Sequence, residues 1–487
     1  MGQSLRSRRW LPWLLAIGAV LAVLITAVVV VAVVVIPQRT RDISHPDVEF
    51  SMPTAPPPAP LPATPSDENF SWPVFGYDNA RTHNLPLRYR LYPPYHLDWK
   101  RGGRVLLEFP PVLYGRSMYV LKDDGGLVAM SRRTGTTIWA RRFGSLAASS
   151  PAVNKDTVFV TLLRRFPGAP GGRIAAVAQA TGRTRWSRKL SPTESSPLLI
   201  RGMVIFGTSN GSVYALNQRN GRVRWRFRAS GAVKGGLAAD GHGHVFFGDY
   251  SGHVYALHQR NGHLMWRVGT SGAGFGFSSG RFYSTPAAAF GRVYLGNTDG
   301  FVYSFAASSG KLAWRTHTGG YVYGSPAIGY TPGPTVFIGS YDKKFYALNA
   351  RSGRKRWVRK APGRISGSAV VLGDMVWYST LNHMTEAVKA RDGRPIYHTY
   401  RGYFNPLVSD GERIYLVGST GIRALEPARA YTARRRQALI RRQLLIHRHF
   451  KHPHASASAS APRITVSTLP LAPLVSAVPP QPLTPRR

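Results

Sequence analysis

Any chemistry in this chain would have to come from oxygen and nitrogen side chains, because none of its 487 residues is cysteine. That excludes a disulfide framework, a thiolate-held zinc or iron–sulfur site and a cysteine nucleophile. Asp249, Asp299 and Asp342 recur at similar places in predicted turns. Carboxylates so placed could give oxygens to calcium or cap their own turns. Glu194 has no evident acidic partner, and the histidines form no acid–base constellation. His447, His449, His452 and His454 cluster in a stretch with no acidic residue from Ala428 onward, which reads as a solvated basic tail. Two irregular, glycine-rich stretches are better binding candidates. One is 163–173, with Arg164, Arg165 and Phe166; the other is 271–281, with Phe275, Phe277 and Arg281. Arginines beside exposed aromatics on loops held by a rigid scaffold could form a partner-binding rim. The glycines of the second stretch sit in no strand–loop–helix unit and are not a nucleotide fingerprint. No catalytic, cofactor or metal residue is assigned.

The formal net charge is +42, from 64 Lys and Arg against 22 Asp and Glu. The excess is not confined to the termini. Such a surface attracts polyanions by counterion release and long-range steering.

Residues 10–36 form an uncharged run of 27. As a helix it would extend roughly 40 Å at about 1.5 Å per residue, more than the ~30 Å hydrocarbon core. Arg6, Arg8 and Arg9 precede it, which favours a cytoplasmic N terminus. The run is longer than a cleavable signal sequence needs. The expectation is therefore a short cytoplasmic segment at 1–9, an uncleaved single-pass transmembrane helix at 10–36, and everything after it outside the cytoplasm. There the partners of a basic body would be an envelope protein or an anionic polymer or lipid, with no nucleic acid expected. Residues 37–69 are rich in proline and read as an extended stalk.

The elements that must carry any site are fixed by internal periodicity. Trp99, Trp139, Trp186, Trp225, Trp266, Trp314 and Trp357 are followed by Tyr397, at steps of 40, 47, 39, 41, 48, 43 and 40 residues. A period near 42 suits a four-stranded propeller blade. Four residues before each aromatic from 139 onward stands a glycine, as at Gly135, Gly182 and Gly221. Ten residues before stands Ala or Ser, as at Ala129, Ala176 and Ser304. Alternating runs such as Val213-Tyr214-Ala215-Leu216 are strands with two distinct faces, and the glycine lets the chain reverse at positive φ. Each blade thus reads A, B, C, D, with the aromatic on D.

The Ala-x5-Gly-x3-Trp pattern resembles the tryptophan-docking motif of quinoprotein alcohol dehydrogenases and of the related outer-membrane protein assembly factor propellers. Trp72-Pro73-Val74-Phe75-Gly76-Tyr77-Asp78 resembles the lead-in to such propellers. The resemblance covers about 70–427 and implies an all-β, eight-bladed propeller of four-stranded antiparallel blades. In those families each such aromatic packs between adjacent blades, a structural role for Trp99, Trp139, Trp186, Trp225, Trp266, Trp314, Trp357 and Tyr397. Trp99 lies in a D-like strand with no A, B or C before it, and 406–425 supplies A, B and C without a D. The Trp99 strand is therefore expected to complete the last blade; seven blades would follow if the Tyr397 unit were degenerate. Residues 428–454 read as a basic segment, with amphipathic spacing over 434–446, and 455–487 as disordered.

Two functions follow from the resemblance. One is a non-enzymatic scaffold that binds an envelope protein or polymer. The other is a dehydrogenase using pyrroloquinoline quinone and calcium, disfavoured by the missing cysteines and few acids. A third reading, an extracellular sensor, would need a separate output partner.

Overall fold

The computed structural model describes residues 11–30, 41–52, 69–87, 91–165, 168, 171–270, 280–429, 432 and 437. Eight antiparallel sheets of four repeat-derived strands follow one another, each built as an A-B-C-D meander. Blade 3 is representative, with Leu198–Ile200, Met203–Gly207, Ser212–Asn217 and Val223–Arg228. Its B and C strands are buried almost throughout, whereas D alternates between exposed and buried. The hydrophobic core therefore lies between the sheets. Because successive strands are antiparallel, the B–C and D–A loops share one end of the body and the A–B and C–D turns share the other. In the eighth sheet the D position is held by Tyr95–Arg101, which pairs with Ile422–Pro427 and sets Ala424 opposite Trp99.

The Ala, Gly and Trp of the repeat meet between successive sheets. Each Trp faces the small residue of its own C strand, as Ala215 faces Trp225. Each indole N–H donates to a carbonyl in the next sheet. Trp139 reaches Gln179, Trp186 reaches Gln218, and Trp225 reaches Gln259, at 2.9, 2.9 and 3.0 Å. Trp266, Trp314, Trp357 and Trp99 bond Ala307, Ala350, Ala390 and Arg132 in the same way. The six-membered ring lies against the glycine of the next C–D turn. A Cβ on Gly221, whose φ is +68°, would come within 2.6 Å of the Trp186 ring. Tyr397 faces Ala387 and meets Tyr95 edge-on at 4.9 Å.

Two segments precede the blades. Residues 69–87 run along the inner strands. Ser71–Trp72 pairs with blade 1, Asn84–Leu85 runs parallel to the A strand of blade 7, and the carbonyls of Pro73, Asn79, Ala80 and Thr82 accept from blades 2, 4, 5 and 6. Residues 41–52 lie against blade 5, where Ile43–Ser44 adds a fifth strand beside Trp314. The guanidinium of buried Arg292 bonds the carbonyls of Val48, Glu49 and Arg351 there, with Phe50 at 5.0 Å. Proline content alone gave no sign of this packing within the expected stalk.

The apolar N-terminal run requires a correction. Its described helix is Leu11–Val30, 20 residues against the 27 of the run. Among the described residues no helix is long and apolar enough to cross a membrane. The expected transmembrane span at 10–36, the cytoplasmic N terminus and the assignment of the propeller to the far side of a cell membrane are therefore withdrawn.

Substituting two positive-φ glycines separates backbone strain from packing against tryptophan. Gly202, at φ +72°, has nothing within 4 Å of where a methyl group would stand, so Gly202→Ala should cost about 1–2 kcal/mol from left-handed strain alone. Gly221→Ala should cost about 1–3 kcal/mol more, from overpacking against Trp186. Equal losses of stability in urea unfolding would show that the ring contact contributes nothing.

Candidate functional site

The D–A segments converge on the axis and bring a polar residue from nearly every blade to the same height. Their backbone amides are buried, where an unpaired N–H would be costly. Five of them are met by a side chain of the next blade. The amide of Ser150 donates to the Ser196 hydroxyl at 3.0 Å. Gly236 donates to Thr285, Thr285 to Ser325, Ser325 to Ser368 and Ser368 to the Asn405 carboxamide oxygen, at 2.8 to 3.1 Å. Asn405 then donates to the Glu108 carbonyl, and the Ser150 hydroxyl to the Pro110 carbonyl. The amide series is interrupted between Ser196 and Gly236, because glycine offers no hydroxyl, and again at blade 1, where Phe109 and Pro110 stand in the corresponding place.

Arg81, from the lead-in segment, occupies the first of these gaps. It is fully buried, and its guanidinium donates to the carbonyls of Leu237, Phe75, Ser196 and Pro197. Burial lowers its pKa to about 9, so it stays charged at neutral pH. Asp78 caps the same turn by accepting from the Thr82 amide and hydroxyl. Neighbouring His83 is held neutral, its pKa lowered to about 3 by burial and by Arg81.

Above the belt is a shallow cleft lined by Glu108, Glu194, Lys234, Tyr283 and Tyr323, with Phe75, Phe109 and Phe404 around them. Lys234 pairs with Glu194 at 2.7 Å, and the Tyr283 hydroxyl donates to the other Glu194 oxygen at 3.1 Å. Burial, then Asp123 and Glu194, raise the Glu108 pKa to about 7. A tyrosine wall extends outward, from Tyr250 to Tyr283 at 6.3 Å, Tyr283 to Tyr323 at 6.0 Å and Tyr323 to Tyr341 at 4.9 Å. Lys234 and Arg281 lie over Tyr250 and Arg364 over Tyr341, at 5.1 to 5.7 Å. Tyr321 adds a ring that is 53% exposed.

Of the residues read as a binding rim, Arg281 reaches this wall. Arg164 instead belongs to blade 2, where its amide bonds the Leu146 carbonyl, and Arg165 follows it. The structure does not bring the two groups into one cluster. Phe166, Phe275 and Phe277 lie outside the described residues, as do the four clustered histidines and the basic segment over 438–454. Asp249, Asp299 and Asp342 are each engaged in their own B–C turn. Each accepts from a local amide and from a tyrosine hydroxyl, those of Tyr255, Tyr303 and Tyr346. Burial raises the Asp299 pKa to about 6.

The axial position is where a propeller could hold a cofactor, so its donors can be tested for fit. Among the described residues no group of three or more His, Asp or Glu side chains could hold a metal ion. Glu194 is already neutralised by Lys234, and the cleft holds about 50 Å³, against the ~300 Å³ or more of a small-molecule pocket. These residues do not fit pyrroloquinoline quinone with calcium.

A family model described as outer membrane protein assembly factor BamB matches residues 95–232, 209–322 and 298–429. The chain belongs to this family. Among curated BamB proteins, that of Burkholderia pseudomallei is 27% identical over 129 residues, 26% of this chain and 31% of the relative. That of Salmonella typhimurium is 27% identical over 135 residues, 27% and 32%. These matches span about a third of the curated relatives' length. BamB from Moraxella catarrhalis superposes with a TM-score of 0.57 at 15% identity, covering 69% of this chain and 98% of that one. A quinohemoprotein alcohol dehydrogenase from Comamonas testosteroni superposes at 0.59 and 13% identity, covering 75% and 82%. At these identities the solved structures establish the fold. In this BamB-family propeller the axial belt, Glu108 and the tyrosine wall escaped sequence reasoning. A usable signal was present in the Ser-Pro, Thr-Pro or Asn-Pro pair that opens blades 2, 3, 5, 6 and 8.

Two substitutions probe the axis. Arg81→Met would leave four buried carbonyls without their donor and should destabilise by about 3–5 kcal/mol in urea unfolding. A loss below about 1 kcal/mol would mean the belt does not need its gap filled. Folded Glu108 keeps its proton to about pH 7, whereas the unfolded carboxyl, whose ordinary value is 4.5, releases it earlier. Between those values the folded state holds more protons, so stability falls as pH rises. Glu108→Gln should therefore exceed the parent by about 1–2 kcal/mol near pH 8, discounted for its partial exposure, and match it near pH 4. Thermal melts giving the same difference at both pH values would remove Glu108 as the source.

Proposed function

We propose that this chain is a non-enzymatic scaffold that binds an envelope protein through the end of the propeller bearing the B–C and D–A loops. The observation carrying this reading is the tyrosine wall with its overlying cations. Rigid aromatic rings and arginine supply contact area at small entropic cost and are the residues enriched in binding hot spots. Membership of the BamB family supports a protein-binding role. An anionic envelope polymer is a further occupant consistent with the basic surface.

The rigidity such a scaffold needs would come from closure. Tyr95–Arg101 completes the eighth blade and joins the two ends of the repeat region, so that no blade lacks its D strand. Each tryptophan docks its blade on the next. The propeller would extend over 70–427, with 428–454 and 455–487 as appended segments.

The solved quinoprotein neighbours keep an enzymatic reading open. It would require a binding site for pyrroloquinoline quinone and calcium that the axial cleft does not provide as it stands.

A photo-crosslinking residue placed at Tyr321 or Tyr323 in cells should give a discrete protein adduct, and one at Arg201, in an A–B turn of the opposite end, should give none. Adducts of equal yield from both ends would overturn the assignment of the face. Saturable binding of pyrroloquinoline quinone with calcium, near one per chain, would replace the scaffold by the enzyme.

A further inference from the structure

On the same end of the body lies a crevice between blades 7 and 8. It holds about 330 Å³, within the range of small-ligand sites. None of its lining residues is acidic, and they include Lys100, Arg401, Arg423 and His383. Blade 8 supplies Lys100 and Arg423, and blade 7 supplies Arg401 and His383 from the loops facing them.

Two observations bear on what this crevice could hold. First, Lys100 and Arg423 are direct cross-strand partners, as are Arg173 and Lys189 in blade 2 and Lys344 and Lys360 in blade 6, where Asp342 lies 3.8 Å from Lys344. Residues so paired project from the same face with Cβ atoms about 5 Å apart, and like charges there are destabilising. Among the described residues no carboxylate pairs with Lys100, Arg401 or Arg423. A free fold gains nothing from this arrangement; an anion held between the two charges would relieve it.

Second, the floor is glycine. A Cβ on Gly421 would stand 2.5 Å from the Arg101 carbonyl, and one on Gly418 would stand 2.8 Å from that of Arg401. The turn 418–421 therefore lies close against both neighbouring backbones. It presents Ser419 and Thr420, whose hydroxyls can donate, at the crevice. Their amides donate to no described backbone carbonyl, whereas the Ser419 carbonyl is taken by Leu107. On the rim, His383 holds a left-handed backbone, at φ +62°, and stacks on Tyr403 at 4.8 Å.

We infer that the crevice between blades 7 and 8 is a binding site for a phosphate group, held by Arg401 and Arg423 with Lys100, Ser419 and Thr420 around it. Guanidinium groups match phosphate geometry by paired hydrogen bonds. The site is separate from the tyrosine wall, so this assignment stands or falls apart from the protein-partner reading. The phosphate could belong to a lipid headgroup or to a soluble phosphoryl compound.

Titrating the full chain with inorganic phosphate by calorimetry should give saturable binding near one per chain. The pair Arg401→Gln with Arg423→Gln should weaken it at least about tenfold. The charge-matched pair Arg222→Gln with Arg224→Gln, on exposed positions of blade 3, should leave it within about twofold, since long-range charge is common to both. The first pair should fold normally, because it removes the repulsion opposite Lys100. Cosedimentation with phosphatidylglycerol vesicles identifies the source. A loss confined to the first pair assigns a lipid headgroup; vesicle binding equal in both pairs, with free phosphate lost only in the first, assigns a soluble phosphate. Absence of saturable phosphate binding, or equal weakening by both pairs, would overturn the site.

Discussion

The buried amides at the axis set the constraint on which this structure depends. Sheets can converge only if the chain between them is narrow, so Gly, Ser, Thr or Asn precedes the A strands of blades 2 to 8, and their amides need acceptors away from water. The next blade supplies five of them, which couples neighbours at their inner edges as the indole N–H couples them farther out. Gly236 breaks the series. Arg81 restores it with a buried guanidinium, a group whose desolvation is tolerable only when its donors are satisfied. Four carbonyls satisfy them. The lead-in segment is thus part of the propeller's interior and not a linker ahead of it.

This division of labour explains what could be read in the sequence. The repeat was legible because its key residues are constrained locally. Gly221 must accept φ +68° under a ring, and Ala215 must leave room for Trp225, so both recur at fixed spacing. Even the eighth D strand could be anticipated, since the repeat region begins with a lone D and ends without one. The site was less legible, because its members converge from different blades. Glu108, Lys234, Tyr283 and Tyr323 are far apart in the chain and share no motif. Arg81 looks like one more arginine in a chain with a large excess of them. The apolar run at 10–36 misled in the other direction: composition suggested a span, and the described helix does not meet the requirement.

Chemically, the axial mouth is closed by its own residues. Lys234 neutralises Glu194, phenylalanines crowd the cleft, and Glu108 is held toward its neutral form by burial. Contact capacity has moved outward to the tyrosine wall and to the crevice between blades 7 and 8, where charge is left uncompensated.

The path of the lead-in has a consequence for biosynthesis. Residues 69–87 bond with strands from blade 1 to blade 7, and Tyr95–Arg101 pairs with Ile422–Pro427. The earliest part of the repeat region to leave the ribosome thus finds its final partners only when the last part has been made. Blades can stack on one another as they emerge, but the eighth blade must wait until Ile422–Pro427 has been made. Until then a tryptophan-bearing strand stays without its partner. The pairing of Tyr95–Arg101 with Ile422–Pro427 is therefore a contact of high sequence separation, and the nascent chain must be kept from pairing elsewhere until it forms.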